Sequence, residues 1–446
     1  MKVKALSRTS SDYVRERSQD IHKVQRNLDP TIHPFEQGRE YIRALNSVKL
    51  ERMFAKPFVG ALSGHIDGVY SMMTHPERLT SIISGSGDGE IRIWDLSERE
   101  TTWSTTKGHQ GIVNGVSAAH RKDQFLSCST DKTVKIWQPS NSTADNTEPL
   151  ETYIGQYAFT GLSHHRSDPL FVTSGHSIQL WDEQRSEPIQ DFAWGADSYQ
   201  TVRFNQVETN IFASCGSDRT LVLYDLRTSK PLSKLVMTLK INSIAWNPIE
   251  AFTFAAANED HNTYIFDMRN MTSAHNVLKD HVSAVMDVDY SPTGQEIVTG
   301  SYDRSVRLYD VRKGHSYDMY HTKRMQRVFC VQFTKDSKYV LSGSDDGNIR
   351  LWKAHASEKL GVKDRRERNK LEYSAKLKER FGHLKEIKRI DRHRNVPKEI
   401  KQASTRKREM IDARKTKEDR RRKHSAKDKK EKYVPERAKS IIGVAK

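Results

Sequence analysis

Cysteine is scarce. The chain of 446 residues holds 3, Cys128, Cys215 and Cys330, each in a short strand-like context ("LSCST", "ASCGS", "VFCVQF"). They form no paired-cysteine framework and read as small buried apolar side chains in a reducing compartment. Long apolar runs are also missing. No stretch of about 18 apolar residues occurs, and the first residues, "MKVKALSRTSSDYVRER", contain no apolar h-region. A soluble protein outside the usual secretory route is predicted. A chain this long buries a sizeable core, so no disulfide or metal staple is needed. It has room for one large domain or two or three ordinary ones.

Positive charge is abundant but confined to the ends. Residues 353–446 carry 34 Lys and Arg against 15 Asp and Glu, net +19. Residues 1–55 carry 11 against 7, net +4, and residues 56–352 carry 29 against 35, net −6. The sequence pI near 9.5 therefore says little about the middle of the molecule.

That middle is repetitive. "SGSGDGEIRIWD" (84–95) recurs as "SCSTDKTVKIWQ" (127–138), "SCGSDRTLVLYD" (214–225), "TGSYDRSVRLYD" (299–310) and "SGSDDGNIRLWK" (342–353). Looser copies are "VTSGHSIQLWD" (172–182) and "AANEDHNTYIFD" (256–267). The aromatic near each end falls at Trp94, Trp137, Trp181, Tyr224, Phe266, Tyr309 and Trp352, at spacings of 43, 44, 43, 42, 43 and 43. Within each unit a tight turn precedes an alternating strand, as in Asp-Gly before Ile91 and Ile93. Seven such units resemble the WD40 repeat and imply an all-β seven-bladed propeller.

An Asp lies six residues before the aromatic in six units, at Asp88, Asp131, Asp218, Asp260, Asp303 and Asp346. A Ser or Thr lies ten before it in five, at Ser84, Ser127, Ser214, Thr299 and Ser342, and a His precedes three units, at His65, His109 and His281. In WD40 proteins these four groups form a buried hydrogen-bonded network. The resemblance assigns structural pins to His65, Ser84, Asp88 and Trp94 and to His109, Ser127, Asp131 and Trp137. The middle units lack one or more of these groups and are expected to be less regular. A catalytic reading of His-Ser-Asp is rejected, because the set recurs around the ring and a catalytic group is needed once. "GSGDG" (85–89) is no phosphate loop either, since no Lys-Ser/Thr follows and no helix opens there. No catalytic residue, metal ligand or cofactor is expected.

The chain turns charged and helical after Trp352, which leaves the seventh blade one strand short. "KPFVGAL" (56–62) resembles the outer strand "KPLSKLV" (230–236) and is expected to close a propeller spanning 56–353. In 1–55, Ile42, Leu45, Val48, Leu50 and Met53 predict a helix lying on the propeller rim. In 354–446, Leu377, Phe381, Leu384, Ile387 and Ile390 form one apolar stripe on a charged helix ended by Pro397, docked on the propeller or on a partner. The stretch 398–433 is helix-permissive, and "RKTKEDRRRKHSAKDKK" (414–430) within it is charged all round. With net +19 in this region, contact with nucleic-acid phosphates is favoured over a solvated or localisation segment. The candidate RNA-binding residues are Lys388, Arg389, Arg392, His393, Arg394 and Lys398 in "KRIDRHRNVPKEIKQ" (388–402), with Arg420, Arg421, Arg422 and Lys423 further on.

Two flanks carry a more specific resemblance: "NLDPTIHPFEQGREYIRALNSVKLERMFAKPFVGAL" (27–62) and "LWKAHASEKLGVKDRRERNKLEYSAKLKERFGHLKEIKRIDRHRNVPKEI" (351–400). They resemble the flanks of the Sof family of nucleolar WD40 proteins, also called the WD-and-Sof-domain or DDB-cullin-associated-factor-13 type. The similarity covers essentially the whole chain. It implies a non-enzymatic scaffold of the small-subunit processome, built around the U3 small nucleolar RNA, which processes the 18S rRNA precursor in 40S ribosome assembly. The implied partners are pre-rRNA, U3 RNA and other ribosome assembly factors. The implied place is the nucleolus of the nucleus, with no membrane partner and no homo-oligomer. The alternative, compatible with the first, is a substrate receptor of a cullin-4 RING ubiquitin ligase. Such receptors often end a repeat with aromatic-Asp-x-Arg. Here "YDLR" (224–227), "FDMR" (266–269) and "YDVR" (309–312) nominate Arg227, Arg269 and Arg312 as ligase-adaptor contacts, although none of these units ends in Trp.

Overall fold

The computed structural model describes residues 35–121, 123–139, 148–192, 194, 197–228, 230–426 and 433–445. The start of the N-terminal flank, 27–34, and the end of the charged run, 427–430, lie outside the described residues. The described chain forms two compact units. One joins the N-terminal helix to residues 355–395; the other comprises 58–354 and 396–446. The sequence reads 354–446 as a single arm; in the structure residues 355–395 group with the N-terminal helix and residues from 396 on with the propeller.

The larger unit is a seven-bladed β-propeller of antiparallel sheets. Blade one is built from strands Val69–Thr74, Ser81–Ser86, Ile91–Asp95 and Glu100–Thr105, ordered from inside to outside. The inner strands pack in succession, and that of blade seven returns to that of blade one. The outer strand of blade seven is Phe58–Ser63, antiparallel to Asn348–Lys353, with Phe58 opposite Trp352 and Ser63 opposite Asn348. A chain segment that precedes blade one thus fills the last place in blade seven and removes a free edge. Blade four has a fifth strand, Ile441–Ala445, paired antiparallel with Pro231–Met237.

Alternation drives the burial. In Ile91–Asp95, Ile91 and Ile93 are buried and Arg92 between them is half-buried. Trp94, Trp137, Trp181 and Trp352 are almost fully buried. Blade two makes the expected network in full: the two His109 ring nitrogens lie 2.9 Å from Asp131 and 2.7 Å from Ser127, whose hydroxyl accepts the Trp137 indole N–H at 2.8 Å. Burial alone would push the Asp131 carboxyl up. Hydrogen bonds with His109 and Thr133 more than offset this and hold it far below the usual carboxylate range.

Blade one departs from the expectation at Asp88. His65 bonds Ser84 at 2.7 Å, and Trp94 donates to Ser84 at 2.8 Å, but the carboxylate at 3.0 Å from His65 belongs to Glu90. Asp88 is exposed. The turn also differs. The residue after each repeat Asp is left-handed: Gly89, Lys132, Arg219, His261, Arg304 and Gly347 all have φ between 62° and 83°. Where that residue is not glycine, the Asp side chain accepts the amide two positions on, at 3.0 Å for Asp131 to Thr133 and for Asp303 to Ser305. Gly89 adopts the left-handed conformation without that support. The longer Glu90 then supplies the carboxylate for His65.

The remaining blades vary. Trp181 donates to Thr173, eight residues before it, at 2.9 Å. His281 joins Asp303 at 2.8 Å and Thr299 at 2.7 Å, while the Tyr309 hydroxyl turns away to the Lys279 carbonyl at 2.7 Å. In blade seven no histidine takes part. Arg350 instead donates to Ser344 at 2.7 Å and pairs with Asp346.

Candidate nucleic-acid interface

Three helices make the smaller unit: α1 (Glu36–Met53), α2 (Arg365–Phe381) and α3 (Lys385–Asp391). Asp364 caps α2 by accepting the Arg365 amide at 2.9 Å. The apolar stripe from Leu377 to Ile390 does not run along one helix. It breaks at Gly382–Leu384, and its two parts close on α1. Ala44, Val48, Leu377 and Ile387 are buried together, with Tyr41, Leu45, Phe381 and Ile390 packed around them. The buried face of α1 is thus Ala44 and Val48 with Leu45, whereas Ile42, Leu50 and Met53 are 54%, 49% and 68% exposed. What covers that face is α2 and α3. Polar ties reinforce the packing: Tyr41 donates to Glu386 at 2.5 Å, Arg380 to Glu40 at 2.8 Å and Arg52 to the Asp391 carbonyl at 2.6 Å.

Five candidate residues belong to this unit. Lys388 and Arg389 are exposed on α3, and Arg392 and His393 are exposed just beyond it. Arg394 is half-buried and folds back, donating to the carbonyls of Asp391 at 2.6 Å and His393 at 3.1 Å. It satisfies the end of α3. Arg394 is thus a structural cap in this structure.

The other five lie on α4 (Lys398–His424), which belongs to the propeller unit. Twenty-seven residues make a rod of about 40 Å, so Lys398 at its start and Arg420–Lys423 at its end are not one cluster. The helix carries twelve Lys and Arg against five Asp and Glu, net +7. Ten of the twelve cations are exposed; the exceptions are Lys407 and Arg422.

Those two exceptions are anchors. Lys407 Nζ donates to the His281 carbonyl at 2.9 Å. Burial depresses its pKa, opposed by the charges of Asp260 and Asp280. Arg422 pairs with Asp419 at 2.7 Å and lies 5.0 Å over the Tyr433 ring. Past the helix, Lys439 pairs with Glu418 at 2.8 Å and Lys279 with Glu436 at 2.5 Å, and the fifth strand of blade four follows. Sequence reasoning missed these anchors. The signal for the strand was the short apolar run "IIGVA" at 441–445.

The three Asp-x-Arg motifs end the third strands of blades four, five and six. The turn aspartates open those same strands, so the motifs lie on the face opposite the Lys407 contact. Arg227 grips its own Asp225 at 3.1 and 2.9 Å, and Arg269 grips Asp267 at 3.1 and 2.8 Å. Arg269 also lies 4.2 Å over the Phe252 ring. Arg312 gives Asp310 only its amide, at 3.0 Å, and Lys313 takes that carboxylate at 3.0 Å.

Comparison with known proteins adds to this geometry. Residues 354–441 match the Sof1-like domain, and residues 56–95, 101–138, 273–310 and 315–353 match the WD domain, G-beta repeat. The chain is 51% identical to DDB1- and CUL4-associated factor 13 of Xenopus laevis, covering 95% of this chain and 96% of that one. It is 50% identical to the human protein of the same name over the whole of both chains. Protein SOF1 of Saccharomyces cerevisiae is also 50% identical, over 99% of this chain and 95% of that one. Among solved structures, the WD40 β-propeller domain of Doa1 matches with TM-score 0.57 at 20% identity, covering 66% of this chain and 96% of that one, which fixes the fold alone. A propeller followed by a Sof1-like segment, matched end to end by these relatives, places the chain in the Sof1/DDB1- and CUL4-associated factor 13 family of WD40 proteins.

Proposed function

We propose that this protein is a scaffold of the small-subunit processome, holding pre-rRNA and assembly factors during 18S rRNA maturation in the nucleolus. The observation that carries the reading is α4. It presents ten exposed cations along a rod tied to the propeller near its middle and at its end. A cation row on a fixed helix meets phosphates in a defined place, and contacts of this kind position RNA without reading bases. Lys388, Arg389, Arg392 and His393 give the helical unit a second basic surface. Crosslinking in cells, followed by sequencing of bound RNA, tests the reading. Enrichment of pre-rRNA and U3 RNA is expected, and absence of both overturns it.

A second reading is favoured by the three Asp-x-Arg motifs on one face of consecutive blades and by the name that the animal relatives carry. In it, that face binds the adaptor of a cullin-4 ubiquitin ligase. Arg227 and Arg269 pair with their own aspartates, and Arg312 makes no side-chain pair with Asp310. Replacing all three with Ala lowers adaptor co-purification and spares 18S maturation if this holds. Unchanged co-purification means that the motifs take no part in adaptor binding.

A further inference from the structure

The face that carries the turn aspartates already receives one cation from the chain itself, Lys407, seated on the His281 carbonyl near Asp260 and Asp280. Around the ring, where blades six, seven and one meet, the same face carries a second acidic and aromatic cluster. The rings of Tyr70 and Phe329 stack with centroids 4.6 Å apart and an interplanar angle of 11°. Tyr302 meets Phe329 edge-on at 6.0 Å, and Arg327 lies 5.4 Å over the Tyr302 ring. Two carboxylates border the stack. A Cβ placed on Gly68 would lie 3.4 Å from Asp345 Oδ1 and 3.5 Å from the Phe329 ring, and one on Gly87 would meet the Asp67 carboxylate and the edge of Tyr70. Both carboxylates, after burial itself, raise the pKa of the Tyr70 phenol, and Arg327 opposes them, which places all three charges within electrostatic reach of that ring.

Asp67 accepts only its neighbour's amide, from Gly68 at 2.7 Å, and among the described residues neither Asp67 nor Asp345 forms an ion pair. Tyr70 and Phe329 are half-buried, Tyr302 is 37% exposed, and Ile66, next to Asp67 in sequence, is 90% exposed. The cation at hand, Arg327, sits on the Tyr302 ring.

We propose that this cluster docks an arginine side chain carried on an extended segment of a partner protein. The guanidinium bridges Asp67 and Asp345 at the edge of the Tyr70–Phe329 stack, while Tyr302 and Ile66 cover the arginine's methylene stem. Arginine suits the site better than lysine, because its planar fork pairs with two carboxylates and also stacks on rings. The net −6 of residues 56–352 favours a basic segment over the whole propeller. Single-stranded RNA shares only the stacking chemistry. Its phosphates are repelled by two unpaired carboxylates.

The test uses the full-length protein and three probes: a fluorescein-labelled Arg-Gly repeat peptide, its citrulline counterpart and oligouridine. Anisotropy titrations are run at about 150 mM salt, where distant surface charges are screened. The arginine peptide is expected to bind more tightly than the citrulline peptide. Asp67→Asn/Asp345→Asn is expected to weaken it about tenfold and Tyr302→Ala about threefold, through loss of the ion pairs and the ring contact. Glu98→Gln/Asp123→Asn, the same charge change on exposed carboxylates elsewhere, is expected to leave it unchanged. Oligouridine is expected to ignore all four substitutions at Asp67, Asp345, Glu98 and Asp123. Three results overturn the proposal: equal binding of the two peptides, an equal loss in the control variant, or a Tyr302→Ala effect on oligouridine alone. The last assigns the cluster to RNA bases.

Discussion

The propeller and helix α4 are held in opposite ways. The propeller buries its repeat aromatics almost completely, as at Trp94, Trp137, Trp181 and Trp352. Of the 27 residues of α4, only Ile400 is buried. The helix is fixed instead by Lys407, by Arg422 and by the strand that follows it. The difference explains why its charge is available. A helix that drew its stability from an apolar face would commit its side chains to packing. This one uses two cations for anchorage and leaves ten at the surface. The frame supplies the stability and the rod supplies the charge.

The contrast breaks most sharply at a repeat aromatic. Trp137→Ala removes a ring packed against His109, Trp103 and Phe125. It is expected to cost about 3–5 kcal/mol in denaturant unfolding. Arg414→Ala, on an exposed position of α4, is expected to stay within about 0.5 kcal/mol. Comparable losses for the two would show that α4 is part of the folding core.

A smaller effect concerns pH. Asp289 on the inner strand of blade six accepts the Phe333 amide of blade seven at 2.8 Å. Burial pushes its carboxyl up to about 7, only partly opposed by that amide. The folded state then holds the proton more tightly than the unfolded chain. The stabilising contribution is complete below about pH 4 and is lost as pH rises through about 7. Each tenfold gain in proton affinity on folding is worth about 1.4 kcal/mol. Asp289→Asn keeps an acceptor for the amide and should remove this downward slope. Urea midpoints of the two proteins between about pH 5 and 8 check it: their difference should change with pH, and a constant difference refutes the assignment.

Smaller still is the effect of loosening α4. Deleting 433–446 removes the Arg422–Tyr433 and Glu418–Lys439 contacts and the fifth strand of blade four. Amide exchange in the last turns of α4 is expected to quicken, since few buried contacts remain to protect them. Propeller melting should shift little. Equal protection in both proteins would mean that Ile400 and Lys407 hold the helix unaided.

The sequence made the propeller readable because its period recurs seven times, so local ambiguity at one unit was corrected by the others. Single contacts had no such redundancy. Glu90 takes the place of Asp88 in blade one, whereas in blade seven, where a left-handed glycine likewise follows the Asp, Asp346 stays paired with Arg350. The stripe from Leu377 to Ile390 keeps helical spacing across a break at Gly382–Leu384, so its pattern concealed two helices. The basic residues were legible as a set, but not which of them the fold consumes. Arg394, Lys407 and Arg422 turned inward because backbone carbonyls, carboxylates and an aromatic ring lay within reach of them. The strand 441–445 pairs with residues some two hundred positions earlier, and nothing in five apolar residues names that partner.

The central claim is that exposed cations of α4 carry the RNA affinity. Counterion release turns it into a slope. Each phosphate met by a cation adds roughly 0.7–0.9 to the fall of log affinity with log salt. Replacing Arg414, Lys415, Lys417, Arg420 and Lys423 with Ala in the full-length protein removes five exposed charges from the second half of the helix. Binding to a pre-rRNA fragment is measured between about 50 and 200 mM salt for both proteins. The account predicts a slope flatter by roughly 3.5–4.5 in the variant if each residue meets one phosphate, with weaker binding at low salt and an unchanged melting temperature. Identical slopes and affinities in the two proteins would contradict it.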